Sequence, residues 1–268
     1  MSSTWTVSLD QVRRQDRDAA ELLAFLAYLS NNDIWYDLIK AGANEDVPWM
    51  CRVTENKMSF QRAMSKLQDY NLVNMVASSY QFHPCLHDWL VGSLSAPLKS
   101  SLFTTALTCI SSGIDDKSTP HYWVTSRRLL EHTEHLQSPR FHEQWQRCAF
   151  EEGMLDAIHK IAGLLKDWNR DKKAEQMYDR ALAGREKILG PHHTSTLDTV
   201  RNLGNLYCDQ GKLDAAEQMY DRALTGYEKV HGPDHTSTLS AVHDLGDLYR
   251  DQGKLDAAEQ MYDRAQGR

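Results

Sequence analysis

Apolar residues recur three and four positions apart along most of this chain, the spacing of helices with one buried face. The first such stretch covers 17–29, with Leu22, Leu23, Phe25, Leu26 and Leu29 on one side. A short helix over 33–40 follows Asn31 and Asn32, and a third over 58–70 carries Phe60, Ala63, Met64 and Leu67. Residues 71–76 and 80–82 then read as two short strands, and 85–94 closes the region as a helix. Beyond it, 98–111, 125–136 and 141–150 read as helices, with a polar break at 113–120. From 154 onward one pattern dominates. Leu197, Val200, Leu203, Leu206 and Tyr207 line a helix over 195–209, and Ala216, Met219, Tyr220 and Ala223 line its successor.

That last pattern repeats at a fixed interval. Residues 174–182 return unchanged as 216–224, 193–197 as 235–239, and 213–222 as 255–264, each 42 positions later. A worn earlier copy sets Ile158, Ile161, Ala162, Leu164 and Leu165 on Val200, Leu203, Gly204, Leu206 and Tyr207. Three units follow, 154–190, 191–232 and 233–268. A helical pair cannot bury its apolar face alone, so such units stack into a solenoid. Gly211 and Gly253, with Asn169 in the worn copy, stand where a left-handed residue ends a helix. Asp214 with Glu217, and Asp256 with Glu259, have the spacing of a capping box. Gly190-Pro191 and Gly232-Pro233 stop the second helix of each pair. Gly204 and Gly246 lie inside helices, where glycine costs about 1 kcal/mol against alanine; their recurrence predicts close packing at that point.

Composition narrows the function. Net charge is −7, and the regions 1–95, 96–153 and 154–268 carry −3, −1 and −3. None is basic, so nucleic acid is not an expected partner. No apolar run is long enough to cross a membrane, and the first residues lack a signal-peptide pattern. Five scattered cysteines, never spaced Cys-x-x-Cys, fit free thiols in a reducing compartment. A cytoplasmic protein is expected. No phosphate-binding loop occurs, and no cofactor or metal is expected: His83 and His87 are one helical turn apart but lack a third ligand. His132, His135, His192 and His193 read as surface residues. No catalytic constellation stands out, so the expectation is a protein that is not an enzyme.

Leu203-Gly204-x-x-Tyr207, followed by Ala216, Tyr220 and Ala223, resembles the tetratricopeptide repeat. The 42-residue period and the Gly-Pro-x-His-x-x-Thr-Leu loop are similar to the repeats of kinesin light chain. The resemblance implies a groove walled by the first helix of each pair. The matching positions are His159 and Lys160; Arg201, Asn202 and Asn205; and His243, Asp244, Asp247 and Arg250. The asparagines would hydrogen-bond the backbone of an extended peptide, while Arg201, His243 and Arg250 would read acidic side chains.

The stretch from Leu67 through Tyr70, Val73, Tyr80, His83-Pro84, His87 and Trp89 resembles the winged-helix segment that follows the nucleotide-binding (NB-ARC) domain of fungal and bacterial NOD-like, STAND-class proteins. There a histidine after the second strand senses nucleotide, and His83 is the matching residue. With no phosphate-binding loop in the chain, His83 is an orphaned sensor or a structural histidine. The expected architecture is mainly α: a tail (1–16), a winged-helix-like domain (17–95), a helical linker that caps the array (96–153), and the solenoid (154–268). The expected function is a non-catalytic scaffold that binds a peptide or protein in the groove. The alternative is the regulatory part of a nucleotide-switched STAND ATPase whose nucleotide-binding domain is absent from this chain. A winged helix also admits DNA binding, ranked last given the acidic surroundings. An uncovered last hairpin is expected to self-associate or to continue in a longer chain.

Overall fold

The computed structural model describes residues 4–148 and 152–266. They form two compact units that divide at residue 149. The first contains α1 (Thr4–Gln15), α2 (Arg17–Leu26), α3 (Tyr36–Ala41), α4 (Pro48–Val53) and α5 (Lys57–Asp69). The hairpin β1 (Asn74–Val76) and β2 (Ser79–Gln81) comes next, then α6 (Pro84–Ser93), α7 (Ala96–Ser112), α8 (Tyr122–Leu136), a 3-10 turn at Pro139–Phe141 and α9 (His142–Arg147). The segment expected as a tail thus holds α1, whose Leu9 and Val12 are buried. The helix expected over 141–150 is α9 as far as Arg147, and its last two residues lie outside the described residues.

The first unit is built around α2. Asp16 caps it by accepting a hydrogen bond from the Ala19 N–H at 2.9 Å. Every residue from Ala19 to Leu29 except Glu21 is buried, because α1, α4, α5 and α6 all pack on this helix. A helix surrounded by others is apolar on nearly all sides. α4, with Pro48 at its start and only Met50 and Val53 buried, is too short to show a period. Within residues 17–95, four helices, α2 to α5, therefore precede the hairpin where the sequence predicted three. The strands are antiparallel and Val76 pairs Ser79, leaving a two-residue turn at Ala77-Ser78. β2 also bridges to Ile34 on its other side.

Residues 96–148 are built into the same unit. α7 lies on α3; a β-carbon added at Gly42 would come within 2.2 Å of Cys109 Sγ. Arg128 holds both carboxylate oxygens of Asp33 at 2.7 Å and stacks 3.8 Å from the Trp35 ring centre. Of His132 and His135, both expected at the surface, the first is buried and the second half-buried. His132 is fully buried; its Nδ1 accepts from the Ser30 N–H at 3.0 Å and its Nε2 donates to the Asp33 carbonyl at 3.1 Å. His135 meets the ring of buried His87 edge-on at 4.6 Å. A neutral imidazole carries one donor and one acceptor, so it satisfies two polar groups of a core at once. Burial is the main cause that lowers the pKa of His132 to about 4 and that of His135 to about 3.

The second unit is three helical pairs: α10 (Glu152–Asp167) with α11 (Asp171–Ile188), α12 (Thr194–Asp209) with α13 (Leu213–His231), and α14 (Thr236–Asp251) with α15 (Leu255–Ala265). Each pair stacks on the next through α11 on α12 and α13 on α14. The cores straddle the boundary: Leu197, Val200, Ala223 and Tyr227 share a cluster with Ala241, and Ala216 and Tyr220 share one with Leu245 and Leu248. The ends of α12 and α14 are Schellman motifs. Gly211 (φ 71°) and Gly253 (φ 75°) are left-handed, and the N–H groups of Lys212 and Lys254 return to the carbonyls of Tyr207 and Tyr249, each at 2.8 Å. Asn169, at φ 54°, serves α10 in the same way.

The capping boxes do not form. α13 and α15 begin at Leu213 and Leu255, and neither Lys212 nor Lys254 caps with its side chain. Asp214 and Asp256 therefore sit inside the first turn, where a negative charge complements the helix dipole. Glu217 turns to the following unit instead, accepting from Gln252 Nε2 at 3.0 Å. The caps that do form are on the first helices. His193 and His235 accept from the Ser195 and Ser237 N–H groups at 3.3 and 3.2 Å, while Thr196 and Thr238 bond back to the Gly190 and Gly232 carbonyls at 2.9 and 2.8 Å.

Candidate partner-binding groove

The first helices of successive pairs touch one another, α10 with α12 and α12 with α14. Side chains on their shared face therefore form columns at 42-residue spacing. His159, Arg201 and His243 make one column, Lys160, Asn202 and Asp244 the next, and Gly163, Asn205 and Asp247 a third. All the groove residues predicted from the sequence stand in these columns except Arg250, which lies one turn further along α14.

The columns are cross-linked by rungs from one residue to the neighbour column of the following unit, 43 positions on. Asn202 Nδ2 donates to His159 Nε2 at 3.0 Å. Arg201 Nε faces Asp244 Oδ2 at 3.6 Å, and Lys166 Nζ holds Asp209 Oδ2 at 2.7 Å. Within the second and third units, the second helix supports the wall through a tyrosine: Tyr220 OH donates to Asn205 Oδ1 at 2.6 Å, and Tyr262 OH to Asp247 Oδ1 at 2.7 Å. Asn205 Nδ2 in turn donates to Asn202 Oδ1 at 3.4 Å. A hydrogen-bonded chain from Tyr220 through Asn205 and Asn202 to His159 thus fixes both amides.

The tyrosines explain the internal glycines. A β-carbon at Gly204 would fall 2.6 Å from the Tyr220 ring, and one at Gly246 2.7 Å from that of Tyr262. The rings press against the glycine positions, where a larger side chain would collide with them.

Electrostatically the wall is paired rather than bare. Arg250 donates to Asp247 at 2.8 Å and to Asp251 at 3.3 Å. His243 Nδ1 lies 3.4 Å from Asp247 Oδ2. Asp244 is pushed up from the ordinary carboxylate range by burial, against the lowering influence of Arg201. His159 is held to a pKa of about 4, first by burial and then by the Arg185 guanidinium. Lys160 is exposed. His159 Nδ1 lies 3.3 Å from both Thr199 Oγ1 and Arg185 Nη1.

Sequence reasoning missed Arg185. It is buried, donates to the Ser195 carbonyl at 2.7 Å and Thr199 Oγ1 at 2.6 Å, and pairs with Asp156. It thereby ties the first pair to α12. Its repeat equivalent is Tyr227, which bonds Asp198, the equivalent of Asp156. The signal the repeat alignment held is an arginine at 185 where the next unit has Tyr227, with an aspartate at 156 and 198 opposite each.

His83, the sensor-like residue, begins α6: its Nδ1 accepts from the Cys85 N–H at 3.1 Å. This is the same capping geometry as His193 and His235, and Pro84 at the first helical position supports it. Among the described residues no group of histidine, cysteine and carboxylate side chains is placed to hold a metal, and no helix is long and apolar enough to cross a membrane.

A model of the tetratricopeptide repeat matches residues 153–229 and again 196–266. No curated protein matches the chain. Among solved structures, BtubC (BKLC) from P. vanneervenii superposes with a TM-score of 0.50 at 18% identity, covering 96% of this chain and 89% of that one. A Podosopora anserina putative kinesin light chain with nearly identical TPR-like repeats gives 0.51 at 14% identity, covering 85% of this chain and 95% of that one. At such identities the likeness is one of fold. The period, the L-G-x-x-Y and A-x3-Y positions, the stacked pairs and the two overlapping matches make residues 153–266 a tetratricopeptide-repeat array.

Proposed function

We propose that this protein is a cytoplasmic, non-catalytic scaffold whose array holds an extended segment of a protein partner along the wall of α10, α12 and α14. Tetratricopeptide arrays generally mediate protein–protein interactions. The observation that carries the reading here is the ladder itself: polar side chains of three consecutive first helices stand in register, with Asn202 and Asn205 fixed by partners on both sides. Amides held in advance lose little freedom when they bond a peptide backbone, and preorganisation of this kind raises affinity.

Lys160 provides an exposed cation beside them. Arg201, Arg250 and His243 already face carboxylates of the wall, so an acidic ligand side chain must exchange with Asp244 or Asp247 to reach them. The favoured ligand is therefore a polar backbone with few charges rather than a strongly acidic tail. We also assign residues 17–95 a winged-helix-like role in packing, supported by the order α5, hairpin, α6.

The test is affinity capture with cross-linking on the full chain, comparing it with the Asn202→Ala/Asn205→Ala/Lys160→Glu variant. Removing one or two central anchors of an interface costs about 2 kcal/mol or more, so the partner should drop at least about tenfold and its cross-links should leave α12. Undiminished capture by a variant with unchanged melting would overturn the groove assignment.

A further inference from the structure

Buried tryptophan N–H and tyrosine O–H groups usually find a hydrogen-bond partner, and two in the first unit do not. Trp35 is 9% and Tyr80 6% exposed. Among the described residues neither Trp35 Nε1 nor Tyr80 OH has a hydrogen-bond partner, yet neither atom is enclosed by protein. Both residues line one cavity of about 340 Å³, bounded by α3, α5, the β1–β2 hairpin and α8. The backbone bridge between Ile34 and Tyr80, with bonds of 3.0 and 2.8 Å, holds their two segments together.

The remaining wall is of two kinds. The rings of Tyr36, Phe60 and Tyr80 form a chain of edge-on contacts, 5.7 and 5.8 Å between centres, and exposed Met75 adds an adaptable apolar edge. Around this floor stand cations with bonding capacity to spare. Arg128 gives Nε and Nη2 to Asp33, which leaves Nη1 without a partner among the described residues. Lys57 Nζ lies 5.9 Å from the Tyr36 ring centre and makes no ion pair among the described residues. Lys40 approaches the same ring at 5.5 Å. Asp37 is the one carboxylate among the described residues that line the cavity.

We propose that this cavity is a binding site for a small aromatic carboxylate. Indole N–H, guanidinium and ammonium groups only donate, and an ionised carboxylate only accepts, so one carboxylate satisfies the unspent donors of Trp35, Arg128, Lys57 and Tyr80 together. Hydrogen bonds to an ionised acceptor are also about twice as strong as neutral ones. A cationic ligand is disfavoured, because Arg128 lies over the Trp35 ring and the two lysines over that of Tyr36. The volume is at the lower end for small-molecule sites, about 300–1,000 Å³, which suits one ring or two fused rings against the aromatic floor. Asp37 opposes the anion, so its charge weakens binding.

The test titrates the full chain with naphthoate and with its neutral isostere naphthamide. The readout is the proton–nitrogen resonance of the Trp35 indole N–H, assigned with Trp35→Phe. Naphthoate should move this resonance downfield in a saturable way and bind at least about tenfold more tightly than naphthamide. Tyr80→Phe should weaken naphthoate at least about tenfold and leave the melting temperature unchanged, because the hydroxyl bonds nothing in the fold. Lys57→Gln should weaken binding several-fold and Asp37→Asn tighten it several-fold. A Trp35 resonance that millimolar naphthoate leaves in place, or equal affinity for the two probes, would overturn the proposal. Undiminished binding by Tyr80→Phe would do the same, as would an equal response to inorganic phosphate, since the aromatic floor would then have no part in recognition.

Discussion

At the scale of single residues, this array is governed by what lies against its glycines and its buried polar groups. Gly204 leaves space for the ring of Tyr220, whose hydroxyl then reaches Asn205. Gly204→Ala should destabilise the array by about 1–3 kcal/mol, because the ring must swing away from the helix and its bond to Asn205 is lost. Urea unfolding of the variant measures this, and Asn205→Ala in the same background should cost little more, since the two changes act on one contact. At the neighbouring position, Gly226 faces Leu197 with only 2.3 Å left for a β-carbon. It is the same device used between the two helices of one pair. Gly204 is legible in the sequence as a recurring glycine inside a helix; which side chain occupies the space is not.

The elements show where local sequence rules held and where a distant group overrode them. The left-handed ends of α10, α12 and α14 follow directly from Asn169, Gly211 and Gly253, because the bonds involved span only a few residues. Glu217 lies at the spacing of a capping box, yet it bonds Gln252, Lys254 and Tyr249 of the next pair. Three partners across the interface outweigh one backbone N–H that water would otherwise satisfy, and they hold its carboxyl below the usual range, Gln252 foremost. The hairpin β1–β2 makes the opposite point. Its two-residue turn puts Ala77 at φ 52°, a conformation that disfavours a β-carbon by about 1 kcal/mol and that asparagine adopts more readily. Ala77→Asn should therefore stabilise the first unit by about 0.5–1 kcal/mol, read as a higher midpoint in chemical denaturation.

For the molecule as a whole, buried histidines set the response to acid. His87, His132 and His135 in the first unit, and His159 in the second, all titrate below a free imidazole, chiefly because burial disfavours the charged form. The unfolded chain thus binds more protons than the folded one from pH about 6.5 down to about 4. Stability is fully present above pH about 6.5 and is lost as pH falls, each group steepening the loss by up to about 1.4 kcal/mol per pH unit. Three such groups against one predict that residues 4–148 open before residues 152–266. Hydrogen exchange at pH 5 and pH 7 distinguishes the units, and His135→Phe should flatten the dependence of the first. Equal loss in both units would show that carboxylates rather than these histidines dominate.

What the sequence by itself determined was most of what is local and repeated: the 42-residue period, the helical pairs, the residues that end them, and the repeat family. Repetition makes the same short-range preferences visible three times over, so chance patterns drop out. Which polar residues are occupied with one another was decided only in the tertiary structure. His159 and Asn202, Arg201 and Asp244, and Arg185 and Asp156 are each brought together by stacking, and His132 reaches Ser30 across the first unit. A polar side chain on a helix looks the same in sequence whether it faces water, a ligand or another helix; only the packing of elements far apart in the chain selects its neighbour.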